Sequence, residues 1–407
     1  MKIRFFLSVA ILLTSSVSNA DIVVDWNQRA NSAMIAEGPM VANSGLGTSR
    51  TLAMMHVAMF DAINASGATY QSYLSGFPLA QGASAQASAH AAARAVLVDQ
   101  FPKQRTTIEA GYIQAMAALP EGSAKSSGIV SGEKAAQLVL ASRKGDGHVG
   151  SPDTYRPATS AGVYVPTALP VVSNVALRTT FALKNVSQFR PGPPPSLDSK
   201  LWARDYNETM ELGSAASSKR NAWQAETARF WIQVGTPAWN QAARSLTISR
   251  PKPLLESARL FAHLNMAIFD AYLAVFDAKY TFNFWRPITA IRNGDIDGND
   301  ATQRDPGWTP LIETPLHPEY PCAHCTVDGA AGAVLKSVFG RGAVPLFKLD
   351  SATASGVVRE YSSIQQLEDE VSMARIWGGL HYRNSNEIGH ELGEKVGEYV
   401  LNSTLGH

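Results

Sequence analysis

Cationic and imidazole side chains are concentrated in three segments of the C-terminal half of this 407-residue chain. The first segment reads Lys279-Tyr-Thr-Phe-Asn-Phe-Trp-Arg286-Pro287, with two cations seven positions apart. On a helix this spacing puts both cations on one face, roughly two turns apart, so that they could grip an anion from one side. Pro287 disfavours helical backbone at Arg286, which predicts that the helix ends there and that the guanidinium turns inward. Taken alone, the pair also fits two solvated surface cations.

The second segment combines prolines, cysteines and histidines. It runs His317-Pro-Glu-Tyr-Pro-Cys322-Ala323-His324-Cys325 and leads into a stretch of small residues. A proline before a helical pattern indicates a helix start, whose free N–H groups attract anions, and His324 would lie at that start. The cysteine spacing also suggests a thioredoxin-like redox pair or half of a zinc site, but no strand precedes it and no second cysteine pair is present.

The third segment reads Arg375-Ile-Trp-Gly-Gly-Leu-His381. A histidine after a glycine pair is more often structural than catalytic when it stands alone, because imidazoles commonly satisfy hydrogen bonds in the core. Here it accompanies Lys279, Arg286 and Arg375, and these cations could together neutralise a multiply charged tetrahedral oxyanion. Arginine supplies forked donors for such an anion and lysine a point charge.

The elements that must position these segments have helical periodicity, and alternating strand patterns are scarce. Apolar residues from Leu260 to Phe276 recur at three- and four-residue steps, which puts them along one helical stripe. The pattern predicts an all-α fold of two packed helical bundles in a single compact unit. Further amphipathic stretches lie at 49–64, 83–99, 103–118, 131–143, 200–213, 220–233, 325–339, 364–376 and 385–401.

The helical pattern lapses between 151 and 197 into proline, serine, threonine and glycine. We therefore predict an N-terminal helical bundle at 21–150, a proline-rich connecting segment at 151–197, and a C-terminal bundle with the oxyanion site at 198–407.

A short internal echo links the two halves. The sequence His56-Val-Ala-Met-Phe-Asp-Ala resembles Asn265-Met-Ala-Ile-Phe-Asp-Ala. The echo suggests two related bundles, although a chance match between alanine-rich helices accounts for it equally well.

The first twenty residues have the pattern of a signal peptide. Lys2 and Arg4 precede an apolar run that ends at Leu13, and small residues lead to Ala20, where cleavage is expected. The run is shorter than the ~20 residues that span a bilayer, and charged residues or histidine interrupt every later candidate, so no integral membrane segment is expected after cleavage. The predicted location is periplasmic or secreted.

The overall charge excludes one class of partner. Lysine and arginine number 35 and aspartate and glutamate 34, so there is no basic excess to attract nucleic acid. Any binding of anions must depend on local groups.

The ordered set of three motifs resembles the superfamily of vanadium-dependent haloperoxidases and type 2 phosphatidic acid phosphatases. Its parts are Lys-x6-Arg-Pro, Pro-x-x-His and Arg-x5-His, and they extend from Lys279 to His381. Gln188-Phe-Arg-Pro191 also looks like the secreted, soluble haloperoxidase branch. The resemblance implies that Lys279, Arg286 and Arg375 bind the oxygens of vanadate or phosphate. It places the backbone and side chains of Cys322 and Ala323 at the same anion.

The resemblance also implies catalytic roles for His324, His381 and Lys279. In a haloperoxidase, His381 would be the axial ligand of vanadium through a neutral imidazole nitrogen. His324 would be the acid/base residue, and Lys279 would polarise bound peroxide. The partners would be hydrogen peroxide and a halide, and the product hypohalous acid. His317 falls where bromide-oxidising members tend to carry histidine, which favours bromide.

Two alternatives remain open at this point. In an acid phosphatase, the same groups would hold a phosphate ester, His381 would attack phosphorus, and His324 would protonate the departing alkoxide without any metal. A non-catalytic phosphate- or vanadate-binding protein is the third interpretation.

The chain departs from the family pattern at Cys322 and Ala323, where Ser-Gly is usual. A thiol is a weak donor and a disulfide sulfur has no hydrogen to donate, so one oxyanion contact is in doubt. Because a free thiol beside peroxide and hypohalite would be oxidised, we predict a disulfide between Cys322 and Cys325.

An aspartate is expected to orient His324, and Asp61, Asp270 and Asp277 all remain candidates. The acidic run 295–300 lacks the twelve-residue calcium loop and is predicted to be a polar turn.

Overall fold

The computed structural model describes residues 21–38, 44–148, 155–156, 158–233 and 235–407. The predicted signal peptide at 1–20 lies outside these residues. The α-helices of the described ranges are α1 Ile22–Glu37, α2 Gly45–Asn64, α3 Ala85–Gln100, α4 Arg105–Ala117, α5 Ser123–Ser142, α6 Lys200–Gly213, α7 Ala222–Phe230, α8 Gly235–Ser249, α9 Leu254–Phe282, α10 Pro287–Arg292, α11 Ala323–Phe339, α12 Ile364–Trp377 and α13 Arg383–Ser403. The prediction of a helical protein is confirmed.

The centre of the molecule is a pair of long helices, α2 and α9. In the N-terminal half α2 packs against α3 and α5, and in the C-terminal half α9 packs against α11 and α13. These two central helices also pack against each other, so they join the halves. The α9 helix is apolar on nearly all sides and almost entirely buried, which is the pattern of a helix that packs on every face.

By length and composition α9 could also cross a membrane, which corrects the expectation that no later segment has that length and apolarity. The long apolar window of α9 lies wholly inside the protein. Core helices of folded proteins have the same composition, because they too are surrounded by apolar groups.

The internal echo has the same structural role in both halves. On α2, the Asp61 carboxylate accepts backbone N–H bonds from Tyr73 at 2.7 Å and Leu74 at 2.9 Å. On α9, the Asp270 carboxylate accepts three backbone N–H bonds from 181–183, at 2.7 to 2.9 Å. Each aspartate therefore anchors a loop to the central helix of its half.

A buried amide network joins the halves. The Asn27 side chain on α1 donates to Asn240 Oδ1 on α8 at 2.7 Å and lies 2.8 Å from His56 Nε2 on α2. Asn240 in turn donates to Asn265 Oδ1 on α9 at 2.9 Å. Neither α1 nor α8 is among the helices predicted from the sequence, and the two carry a second echo, Trp-Asn-Gln, in each half.

Glycines allow two helix pairs to approach closely. A Cβ atom at Gly132 of α5 would collide with the backbone of α3 at Ser88. A Cβ atom at Gly393 of α13 would collide in the same way with the backbone of α11 at Thr326. In each half, a glycine thus allows the same close approach between two helices.

A β-hairpin is the part of the fold that the helical prediction missed. Strand β1, Ala343–Asp350, pairs antiparallel with β2, Val358–Ser363. Burial alternates along part of each strand, but the alternating stretches are too short to stand out from the surrounding helical pattern. Ser363 ends β2 and caps α12, so the hairpin leads directly into the helix that carries Arg375.

The described part of the connecting segment, 155–156 and 158–197, contains no regular element except a short 3-10 turn at Val175–Leu177. It is tied to α9 by an ion pair in which Arg190 donates to both carboxylate oxygens of Asp277, at 2.7 and 2.8 Å.

Candidate oxyanion site

Lys279 lies in the last turn of α9, and its side chain is fully buried. The Nζ atom donates to the carbonyl oxygens of Pro318 at 2.9 Å and Glu319 at 2.8 Å. These bonds hold the loop before α11 against the end of α9. They bring the first and second predicted segments together.

Arg286 is not on the same helix as Lys279. The α9 helix already ends at Phe282, because Asn283 adopts a left-handed conformation with φ 47° and ψ 42°. The residues that follow lead to Arg286, whose extended backbone precedes Pro287 and α10. The predicted helical alignment of the two cations is therefore wrong, but the guanidinium does turn inward and is 1% exposed.

The Arg286 guanidinium connects three chain segments. Its Nε donates to His317 O at 2.9 Å, and Nη1 donates to Leu380 O at 2.8 Å. Nη1 also lies 3.1 Å from His381 Nε2, and Nη2 lies 2.9 Å from His317 Nδ1. Because an arginine only donates, both imidazole nitrogens must accept, and each ring therefore carries its proton on the other nitrogen.

Cys322 caps the start of α11, and its Sγ accepts the N–H of Cys325 at 3.2 Å. The two cysteines form the predicted disulfide. Among the described residues, nothing accepts a hydrogen bond from the backbone N–H of Ala323 or His324. The His324 ring Nε2 lies 3.1 Å from Gln233 O, so this nitrogen donates. The sulfur of Cys322 has no hydrogen for an anion, whereas the helix start has free N–H groups.

Arg375 lies in the last turn of α12 and is 3% exposed. Its Nη1 donates to Trp231 O at 2.6 Å, while its buried Nε has no partner among the described residues. A buried guanidinium N–H without an acceptor is costly unless a ligand supplies one.

Glu319 is a site residue that the sequence analysis missed. Its Oε1 accepts from His381 Nδ1 at 2.8 Å and from the backbone N–H of Tyr382 at 3.1 Å. The carboxylate therefore keeps the His381 proton on Nδ1 and leaves the lone pair on Nε2. Its position as the only acidic residue between His317 and His324 was the available clue.

Positive charge exceeds negative charge in this buried site. Burial lowers the pKa of Lys279 well below its usual range, lowers that of Arg286 to about 10, and lowers that of Arg375 to about 9; the neighbouring Arg286 adds to the effect on the other two. In the part of the chain that the structure describes, Glu319 is the one carboxylate hydrogen-bonded to the site histidines, and burial raises its pKa to about 7. The imbalance, with the partnerless Arg375 Nε, indicates that a multiply charged oxyanion fits here.

The three histidines of the site are neutral. Burial holds the pKa of His317, His324 and His381 well below the usual range, and the nearby guanidinium groups of Arg286 and Arg375 add to the effect. Neutral His381, with a lone pair on Nε2 that accepts only from Arg286 Nη1, is the form that a metal-oxo centre requires as a ligand.

None of the aspartates considered for orienting His324 does so. Asp61 and Asp270 bind backbone N–H groups of loops, and Asp277 pairs with Arg190. His324 is oriented instead by the carbonyl of Gln233. This partner of His324 could not be identified from residue types, because the acceptor is a backbone carbonyl, which every residue has.

The structure thus brings Lys279, Arg286, His324, Arg375 and His381 into one buried cluster, which is the candidate oxyanion site. His317 joins them through Arg286. The acidic run 295–300, in contrast, forms a polar turn in which Asp297 accepts from Trp202 Nε1 at 2.9 Å. Among the described residues no cluster of histidine, cysteine and acidic side chains could by itself hold a metal cation.

Comparisons with known proteins agree with this class. Residues 259–407 match the family described as the VCPO second helical-bundle domain. Vanadium chloroperoxidase from Curvularia inaequalis is 26% identical over 260 residues, which cover 52% of this chain and 42% of that protein. The chain therefore spans less than half of the length of this curated relative.

Solved structures resemble the chain over a larger part of its length. A bacterial vanadium-dependent iodoperoxidase has a TM-score of 0.78 and 22% identity, covering 95% of this chain and 97% of that one. An apo-type bacterial vanadium-dependent chloroperoxidase has a TM-score of 0.71 and 16% identity, covering 89% of this chain and 95% of that one.

The chain has the fold of the vanadium haloperoxidases, and its residues 259–407 match the family model of the VCPO second helical-bundle domain. The resemblance inferred from the three motifs is confirmed at this level.

Proposed function

We propose that the protein is a vanadate-dependent haloperoxidase that oxidises a halide with hydrogen peroxide to hypohalous acid. The observation that carries the proposal is the convergence of three buried cations on His381, whose neutral ring keeps its Nε2 lone pair. Vanadate, when bound, would supply a Lewis-acidic centre that activates peroxide.

The chain's own groups would bind and orient the anion. Lys279, Arg286 and Arg375 would hold its oxygens, together with the free N–H groups of Ala323 and His324. The Nη1 atom of Arg286 would exchange its bond to His381 Nε2 for one to the anion, so that His381 Nε2 would be available to hold the vanadate.

His324 is the proposed acid/base residue. Halide oxidation by peroxide consumes one proton for each hypohalous acid and water formed. Neutral His324 carries its proton on Nε2 and has a lone pair on Nδ1, so it can take up a proton and release it to the reacting oxygen. The buried cations around it oppose accumulation of the charged ring, which favours release.

Bromide is the favoured halide, on the resemblance of His317 to bromide-oxidising members. The His317 ring packs edge-on against Phe276, with centroids 5.1 Å apart, and accepts from Arg286. Because the similar solved structure is described as an iodoperoxidase, iodide belongs in the same assay.

A phosphatase is the second candidate, and the unprotonated Nε2 of His381 is the observation that favours it. An oriented neutral imidazole in an anion-binding site is also a competent nucleophile toward a phosphate ester. The missing serine hydroxyl at Cys322 is what favours the third candidate, a protein that binds the anion without turnover.

One paired assay separates these candidates. Purified protein is tested for bromide and iodide oxidation by hydrogen peroxide, with and without orthovanadate, beside hydrolysis of an aryl phosphate. Activation of the first reaction by vanadate is expected. If vanadate only inhibits the second reaction, the protein is a phosphatase, and tight vanadate binding without either activity identifies a binding protein.

His381→Ala should abolish vanadate-dependent halide oxidation, because it removes the imidazole nitrogen that would hold the vanadate. His390→Ala is the matched control, since His390 is a partly exposed histidine on α13 outside the site, and it should retain activity. Full activity of the His381 variant would disprove the assignment.

A further inference from the structure

The disulfide encloses the residues that the anion would meet at the start of α11. Cys322 and Cys325 are bridged, with their Cα atoms 5.4 Å apart, and Ala323 and His324 lie between them. Both cysteines are buried, at 0% and 2% exposure.

Both backbone polar groups of Cys322 are hydrogen-bonded. Its backbone N–H donates to Ser385 O at 3.0 Å, at the start of α13. Its carbonyl accepts from the N–H and the hydroxyl of Thr326, at 3.1 and 2.8 Å. The bridge adds a covalent link from this anchored capping residue to the third residue of the helix. The intervening first turn is thereby closed into a ring.

We propose that the Cys322–Cys325 disulfide is the positioning element at the start of α11, which fixes the direction of the Ala323 and His324 N–H groups toward the anion. The inference rests on the proposed function for the identity of the anion. A sulfur in a disulfide cannot replace a serine hydroxyl as a donor. Anion binding at this helix start therefore depends on backbone N–H groups. These groups keep a fixed direction toward the anion only if the first turn of the helix is rigid.

The reduced pair would hold this turn less well. Serine, threonine, aspartate and asparagine cap helices effectively, and a thiol is a weak hydrogen-bonding group. First turns fray readily because their N–H groups have no partner within the helix. Without the bridge, the Ala323 and His324 donors would sample directions away from the anion.

The peroxide that the proposed reaction uses can close the bridge. The Cys thiolate attacks one peroxide oxygen, the O–O bond breaks, and the departing hydroxide takes a proton to leave as water, with the sulfur oxidised to sulfenic acid. The second thiol then attacks that sulfur, the S–O bond breaks, and a second water leaves. Two thiols and one hydrogen peroxide thus give one disulfide and two waters.

Orthovanadate binding is the direct test, because it needs no turnover. Calorimetry compares the oxidised protein, the protein reduced with a small trialkylphosphine, and the reduced protein re-oxidised with hydrogen peroxide, with thiols counted in each sample. We expect reduction to weaken binding roughly 10-fold, as loss of an orienting group commonly does at metal sites. Re-oxidation should restore it.

Cys325→Ala is the matched variant, since it breaks the bridge and leaves Cys322 in place. It should bind vanadate as weakly as the reduced protein and respond to neither phosphine nor peroxide. Cys322→Ser breaks the same bridge but adds a hydroxyl donor, so it should recover part of the affinity. Melting temperatures without anion separate a loss of positioning from a loss of folding.

Equal vanadate affinity of oxidised, reduced and Cys325→Ala protein would overturn the inference and leave the proposed function standing. Redox-dependent binding by a protein that oxidises no halide would support the inference and reject the haloperoxidase.

Discussion

Glu319 sets the chemical form of His381. Its carboxylate accepts the Nδ1 proton at 2.8 Å, which leaves the lone pair on Nε2. It also contributes a negative charge that acts on Lys279 and Arg286. Loss of these two roles would change anion affinity in opposite directions. Removal of the negative charge would strengthen anion binding, whereas removal of the acceptor would leave the His381 ring without the group that orients it.

Substitutions of Glu319 separate the two roles. Glu319→Ala removes the acceptor and should weaken orthovanadate binding roughly 10- to 100-fold. Glu319→Gln removes the charge but keeps an oxygen that can accept from His381, so its loss should be much smaller. Titration calorimetry of both variants provides the measurement. If both bind more tightly than the natural protein, charge rather than ligand orientation controls the affinity.

At the scale of the element, close helix packing holds α11 in place. The α13 helix approaches α11 through Gly393, just as α5 approaches α3 through Gly132. Since α11 carries His324 at its start, a shift at this crossing would be transmitted to the site. The corresponding crossing in the N-terminal half carries no site residue.

Gly393→Ala and Gly132→Ala should each destabilise the protein by about 1–3 kcal/mol through overpacking, partly offset by the better helix propensity of alanine. Only Gly393→Ala should also weaken vanadate binding. Urea unfolding and calorimetry measure the two effects. Gly342→Ala is the control, because a Cβ there meets open space. Equal vanadate affinity for the Gly393 variant and the natural protein would show that the site tolerates movement of α11.

At the scale of the whole molecule, the two halves are joined through buried polar groups as well as apolar ones. His56 lies in the amide network at the contact of α1, α2 and α8, and burial, followed by repulsion from Arg244, lowers its pKa from 6.5 to about 3. Between pH 6.5 and pH 3, His56 binds a proton in the unfolded chain but not in the folded protein. The stability contributed by neutral His56 is therefore present above pH 6.5 and is lost as pH falls toward 3.

His56→Asn should reduce this acid sensitivity, because asparagine does not titrate and is the residue at the equivalent position, Asn265. Between pH 7.5 and pH 4.5 the variant should lose about 3 kcal/mol less stability than the natural protein. The buried carboxylates Asp61 and Asp270, whose pKa values burial raises, are common to both proteins and cancel. Urea unfolding at both pH values tests this, with exposed His407→Asn as control. Equal losses of stability in His56→Asn and in the natural protein would contradict the prediction.

Sequence patterns were enough to predict the helical class and five of the residues that the structure brings together at the candidate anion site. Apolar residues at helical spacing must be buried by packing, and few functions explain so ordered a set of cations and histidines as Lys279, Arg286, His324, Arg375 and His381. Local chemistry also predicted the start of α11 and the nearby disulfide, because both depend on neighbours within a few positions.

The hydrogen-bond partners of the site residues became apparent only in the folded structure. Glu319 and His381 are 62 positions apart, and the acceptor of His324 is a backbone carbonyl 91 positions away. The left-handed turn at Asn283, the short hairpin and the helices α1 and α8 likewise escaped the sequence pattern. Such features depend on contacts between distant segments, whose free energies can exceed local preferences.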